Sequence, residues 1–136
     1  ALVCHPGPTA GYRIAEAEGR VVTYLPDHEP ALGNPRFPCL PRAWTSGATL
    51  AAEADLLIHD SQYSAAEYPG HCGWGHSSLR QTLDFGTLTE VRQLVPFHHD
   101  PGHSDTDLDR LMAEAIDAAK PAYRVTPGTE GRTFEL

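Results

Sequence analysis

A short apolar run, Leu56-Leu57-Ile58, which stops abruptly on His59-Asp60-Ser61, limits most tightly what this chain can fold into. Consecutive large aliphatic residues with no polar alternate read as a strand over residues 55–58 buried on both faces, so it needs sheet neighbours and a covering layer. Gly73-Trp74-Gly75-His76-Ser77-Ser78 answers it: a glycine-flanked loop with one histidine, just ahead of an amphipathic run. A strand end presenting a carboxylate near a histidine on a loop is a common way to build an acid–base pair.

The rest of the chain supplies neighbours for that strand. Residues 1–4 read as a strand ended by His5-Pro6-Gly7-Pro8, which cannot continue a ladder. Residues 11–17 and 20–25 flank Glu18-Gly19 as a hairpin. The second of these strands stops at Pro26-Asp27-His28-Glu29-Pro30, and the proline-rich stretch to residue 47 reads as a loop. A short helix is expected over 49–53, one helical turn over 64–68, and a longer helix from Ser77 or Ser78 with Leu79, Leu83 and Phe85 inward. Residues 91–97 form a second buried strand ending in His98-His99-Asp100-Pro101. Ser104 is an N-cap with Asp107 three residues on, opening a helix that runs to Lys120-Pro121. Residues 123–126 and 133–136 are expected as terminal strands. Strands alternating with helices after a hairpin give a mixed α/β (α+β) layered architecture.

The polar clusters all fall at strand ends, where sites in layered sheets are assembled. They are His5, Asp27-His28-Glu29, His59-Asp60 with His76, and His98-His99-Asp100 with His103. Imidazoles and carboxylates suit zinc or manganese, and a carboxylate can bridge two ions. By spacing alone the eight histidines are read equally well as solvated loop residues, since no two form a compact helical i, i+4 motif; His99 and His103 are separated by Asp100-Pro101-Gly102. The formal charge of −8, with a single lysine, argues against broad nonspecific nucleic-acid binding. Three cysteines without a C-x-x-C spacing make a disulfide framework unlikely to be the organising device and favour a reducing, cytoplasmic setting. No apolar run reaches membrane-spanning length, so no membrane partner is expected.

Five segments resemble, in order, the metallo-β-lactamase superfamily, and most of all its tRNase Z and phosphodiesterase branch. They are His5-Pro6-Gly7-Pro8-Thr9-Ala10-Gly11-Tyr12-Arg13-Ile14, Val22-Thr23-Tyr24-Leu25-Pro26-Asp27, Leu56-Leu57-Ile58-His59-Asp60-Ser61, Gly75-His76-Ser77-Ser78 and Leu94-Val95-Pro96-Phe97-His98. The resemblance implies that His5 binds one divalent ion, His98 the other, and that Asp27 bridges them. It implies zinc first and manganese second. It also implies that His76, oriented by Asp60, protonates the leaving oxygen of a phosphodiester. His98 is preferred to His99 by alignment on Pro101; His28, His59, His71 and His103 are supporting or surface residues, Cys4 a small buried hydrophobe, and Trp74 either a pocket wall or a packed loop aromatic.

Two departures accompany the match. The superfamily's His-x-His-x-Asp-His motif appears nowhere in the chain, and the sequence opens within an apolar run. The chain is therefore expected to be the C-terminal half of an αββα sandwich, one partial domain over residues 1–136, inactive alone, with an apolar sheet face that leaves it poorly stable or associating as a homodimer. The arginine-tyrosine pair of tRNase Z is also absent after the last ligand, where Asp100-Pro101-Gly102-His103 stands instead. A small-molecule or nucleotide phosphodiester is thus expected ahead of a nucleic acid. The rival expectations are a noncatalytic ligand-sensing or interaction module, and an esterase or lactonase.

Overall fold

A computed structural model describes residues 1–136 apart from Glu18, Leu32 and Pro35. Glu18 belongs to the expected hairpin turn, and Leu32 and Pro35 to the expected loop; these lie outside the described residues. The strands flanking the turn, β3 (Tyr12–Ala15) and β4 (Val21–Leu25), pair antiparallel as expected, with Ile14 opposite Val22. Before them β1 (Leu2–Val3) pairs antiparallel with β2 (Thr9–Ala10), a strand the sequence reading did not anticipate. Gly11 links β2 to β3 where the chain passes the core: a Cβ there would lie 2.4 Å from Leu25 Cδ2 and 2.9 Å from Val3 Cγ1.

β4 then runs parallel to β5 (Leu56–Asp60), β5 to β6 (Gln93–Phe97), and β6 to β7 (Arg124–Val125), giving a five-stranded sheet in the order β3-β4-β5-β6-β7. The connections carry α1 (Ala48–Ala51), α2 (Leu79–Thr89) and α3 (Asp105–Ala119). Ser78 starts α2 through a full capping box with Gln81, and Ser104 starts α3 by accepting from the Asp107 amide at 3.3 Å. The three helices lie on one side of the sheet. Ala48, Ala51, Leu83 and Phe85 pack there against Leu25, Leu57 and Leu94, with Ala115 and Ile116 of α3 closing the layer.

The alternation of the strands places Tyr12, Ile14, Tyr24, Ile58 and Phe97 on the opposite side. Tyr24 stacks between Tyr12 and Phe97, at 6.5 and 5.5 Å between ring centroids. Tyr12 and Ile14 are 54% and 62% exposed, so this face is apolar and largely uncovered. Residues 133–136 form no strand, contrary to expectation. Thr126 and Gly128 still bond along β6, to Leu94 O at 2.9 Å and Pro96 O at 3.0 Å, but the chain then turns at residues 129–132 and leaves the ladder. β5 is longer than expected, continuing through His59 and Asp60. Among the described residues no helix is long and apolar enough to cross a membrane.

Candidate active site

Three parallel strands end side by side, and each delivers a polar residue at its carboxyl end: Asp27 after β4, Asp60 closing β5, His98 after β6. The loop that precedes α2 brings His76 to the same place. Ligand atoms of Asp27, Asp60, His76 and His98 all lie within 4.8 Å of one another. His98 sits at φ +61°, a left-handed conformation uncommon for a residue with a side chain and characteristic of functional strand ends.

Asp60 is the hub, fully buried. Its Oδ1 accepts from the Gln62 amide at 3.1 Å and the Ser77 amide at 3.2 Å. Its Oδ2 accepts from His76 Nδ1 at 2.6 Å, the His28 amide at 3.3 Å and His98 Nδ1 at 3.3 Å. Burial alone would raise the Asp60 pKa, but the hydrogen bonds from His76 and His98 carry it below the usual carboxylate range. His98, also 3.2 Å from Asp27 Oδ1, is held above the ordinary imidazole value, first by its bond to Asp60 and against partial burial.

The donor chemistry separates the four residues. A carboxylate offers about four lone-pair sites. Five donors already converge on Asp60, so it has none to spare for an ion. His76, giving Nδ1–H to Asp60, turns Nε2 outward. Asp27 and His98 are each more than a third exposed and keep acceptor capacity facing the cleft. The residues present therefore fit part of a divalent-ion site, with Asp27 and His98 as the free donors. His5 stands outside the group of four, its ring 5.4 Å from that of His76. Its Nδ1 lies 3.0 Å from the Gly7 amide and 3.2 Å from the Gly7 carbonyl, so either tautomer is satisfied, including the one that leaves Nε2 unprotonated for a metal.

The histidines assigned no direct role are not alike. His28 and His59 are fully buried and form a chain of bonds beneath the site. The Asp60 carbonyl can only accept, so His59 Nδ1 donates to it at 2.6 Å; His59 Nε2 then accepts from His28 Nδ1 at 2.8 Å. Ser46 Oγ completes the chain against His28 Nε2 at 3.3 Å. Burial keeps both rings neutral, pushing His59 down to about 4 and His28 well below the usual value. His71 stacks on Tyr63 at 4.3 Å and supports the exposed Trp74 edge-on at 4.8 Å. His103 pairs with Glu67 at 2.8 Å, and His99 lies against the Ser61 carbonyl at 3.3 Å, away from the four.

Sequence reasoning gave Glu29 no role of its own, yet it is fully buried beside this site. Its Oε1 accepts from Tyr68 Oη and from the Gly73 amide at 2.9 Å, and its Oε2 from the Gly75 amide at 2.9 Å. The available signal was its place two residues after Asp27, in a run followed by proline, where an unpaired buried acid would be costly. A cavity of about 740 Å³ lies elsewhere, between residues 64–67 and helices α2 and α3, and none of the four residues lines it.

No family model matches the chain. Among curated proteins it is 28% identical to Ribonuclease BN of Citrobacter koseri, over 80% of this chain and 38% of the relative. It is 29% identical to Ribonuclease Z of Lactococcus lactis subsp. cremoris, over 78% of this chain and 30% of the relative. Its fold is that of human tRNase Z, short form, with TM-score 0.63 and 23% identity, covering 93% of this chain and 38% of that one. It is equally that of the metallo-β-lactamase fold protein YhfI from Bacillus subtilis, with TM-score 0.71 and 17% identity, covering 99% of this chain and 48% of that one. The chain thus spans less than half the length of each.

Proposed function

We propose that this chain, which is similar over part of its length to the tRNase Z-like branch of the metallo-β-lactamase superfamily, is the C-terminal half of a metal-dependent phosphodiesterase domain. The observation that carries this reading is the pairing of His76 with a carboxylate too fully engaged to act as a ligand. In it Asp60 is a positioning and charge-stabilising partner, and His76 the proton donor.

Two divalent ions, zinc first, would be held by Asp27, His98 and His5 with ligands from the rest of the protein, and would supply Lewis-acid polarisation and an activated water. The chain's own residues do the remainder. Asp60 Oδ2 accepts a hydrogen bond from His76 Nδ1–H and so fixes the ring with Nε2 toward the cleft. A protonated His76 gives its Nε2 proton to the departing oxygen as the ester bond breaks, which a poor leaving group requires. The buried His28–His59 pair holds the Asp60 main chain without adding charge to the site.

The relatives are named for RNA cleavage, so an RNA phosphodiester stands first among candidate substrates, and the emphasis on small molecules drawn from the missing arginine-tyrosine pair and the acidic charge is set aside. A cytoplasmic setting accords with that substrate. The test is metal content per chain in the intact protein alongside hydrolysis of an RNA with a 3′ extension and of an aryl phosphodiester. About two ions per chain, with RNA cleavage abolished by His76→Ala, is the expected result. An intact protein that binds no metal refutes the reading; one that binds metal but cleaves only carboxylic esters or lactones replaces the phosphodiester with those substrates.

A further inference from the structure

We infer that Glu29 is a positioning residue that fixes the loop carrying His76 to the strand end carrying Asp27. The inference rests on the proposed acid role of His76 for its kinetic signature, but not for its geometry. Glu29 is fully buried, and its oxygens take the amides on either side of Trp74, at Gly73 and Gly75, together with the Tyr68 hydroxyl. Charge-assisted bonds to backbone amides are among the stronger ones in a protein interior. The residue after Gly75 is His76. On the other side of His76, Ser77 Oγ donates to the His28 carbonyl at 2.6 Å, and the Ser77 amide donates to Asp60. The segment 27–29 therefore grips the loop before and after His76, while its first residue faces the ion-binding side of the cleft.

Ahead of His76 the loop is held by the Gly73 and Gly75 amide bonds to Glu29 together with the Trp74 amide, which donates to the His71 carbonyl at 3.0 Å. Gly75 adopts φ +97°, and a Cβ there would lie 2.2 Å from His5 Cδ2, so the loop backbone lies directly on the His5 ring. Lifting the loop by an ångström would break the 2.6 Å contact between His76 and Asp60. Trp74, 61% accessible, anchors the loop only weakly, with the His71 ring edge-on to it at 4.8 Å. The Glu29 carboxylate supplies two of the bonds that hold the loop down on the Gly73–Gly75 side of His76.

The test uses Glu29→Gln and Tyr68→Phe in the intact protein, with metal content and unfolding midpoint measured for each. Glutamine keeps the shape but sets an NH2 against one of the two glycine amides; Tyr68→Phe removes one donor and keeps the packing. For Glu29→Gln, kcat on a phosphodiester with an alkoxide leaving group should fall about 10²-fold, and for Tyr68→Phe about 5-fold, with KM within about 2-fold. A nitrophenolate leaving group needs no proton, so on it both variants should stay within about 3-fold, and neither should reduce the residual rate of His76→Ala. Equal losses on both leaving groups, or losses that multiply with His76→Ala, overturn the inference. The imidazole NMR signals of His76 give an activity-independent reading: they should shift or broaden in Glu29→Gln, and unmoved signals overturn the inference. If the wild type cleaves neither ester, the phosphodiesterase reading fails and these signals alone decide the role of Glu29. If Glu29→Gln does not fold, Tyr68→Phe decides it on the same measurements.

Discussion

Replacing Asp60 by Asn in the intact protein changes no volume, yet it converts one acceptor of a five-donor hub into a donor. If the Asn oxygen keeps the Gln62 and Ser77 amides, its NH2 must face the His28 amide, His76 and His98. The His28 amide is then a buried donor without an acceptor, costing about 1–3 kcal/mol. His98, more than a third exposed, loses a partner worth about 1 kcal/mol or less. His76 can keep its contact only by accepting at Nδ1, which puts its one proton on Nε2 and leaves a neutral ring that is a poor acid. The expected result is a loss of about 1–4 kcal/mol in urea unfolding and of about 10²–10⁴ in kcat. Because Asp60 is depressed in the folded state, its stabilisation is present above the ordinary carboxylate pKa, about 3.9, and is lost as pH falls through the lower folded value. The wild-type and Asn curves should therefore converge in acid. A stability loss below about 1 kcal/mol with kcat within about 5-fold would refute the reasoning, since the donors would then not depend on the carboxylate.

Gly75→Ala combines a left-handed backbone with a Cβ inside the van der Waals distance of His5 and Pro6, and should cost about 2–4 kcal/mol in urea unfolding while weakening metal retention in dialysis. In metal-free protein, the raised pKa of His98 gives stabilisation that is complete below about pH 6.5 and fades as pH rises through the folded value; His98→Ala should flatten unfolding free energy between pH 6 and 9. Asp84→Asn removes a surface i, i+4 pair with Arg80 at 2.9 Å, and should lower the unfolding free energy measured in urea by no more than about 0.5 kcal/mol.

The sheet was legible because its signals are local. The β3–β4 alternation, the aliphatic run of β5 and the serine caps of α2 and α3 each announce themselves within a few residues. The sequence predicts a β5 that stops at Ile58, because His59 and Asp60 are polar and polarity mimics a strand's end. The His59 ring instead faces the helices and is satisfied there by His28 and the Asp60 carbonyl, a pairing 31 residues apart that no window contains. The run at 133–136 has strand composition, but strand identity is conferred by a partner, and the turn at 129–132 takes it off the ladder. Of the five residues named from strand ends and resemblance, the structure brings Asp27, Asp60, His76 and His98 together and leaves His5 beside them, its ring 5.4 Å from that of His76. Glu29 was missed because its partners are mostly main-chain amides, which carry no residue-type signature.

The convergence on Asp60 also dictates how the site opens. The amides of His28, Gln62 and Ser77 come from three separate segments, at sequence distances of 32, 2 and 17 residues from the carboxylate that accepts them. The same two oxygens receive all three, so a displacement of the Asp60 carboxylate releases all three together. Their hydrogens should exchange with solvent as a single set, at one rate and with one free energy of opening. The cleft would thus have no intermediate state in which one strand end has frayed and the rest remains ready to react.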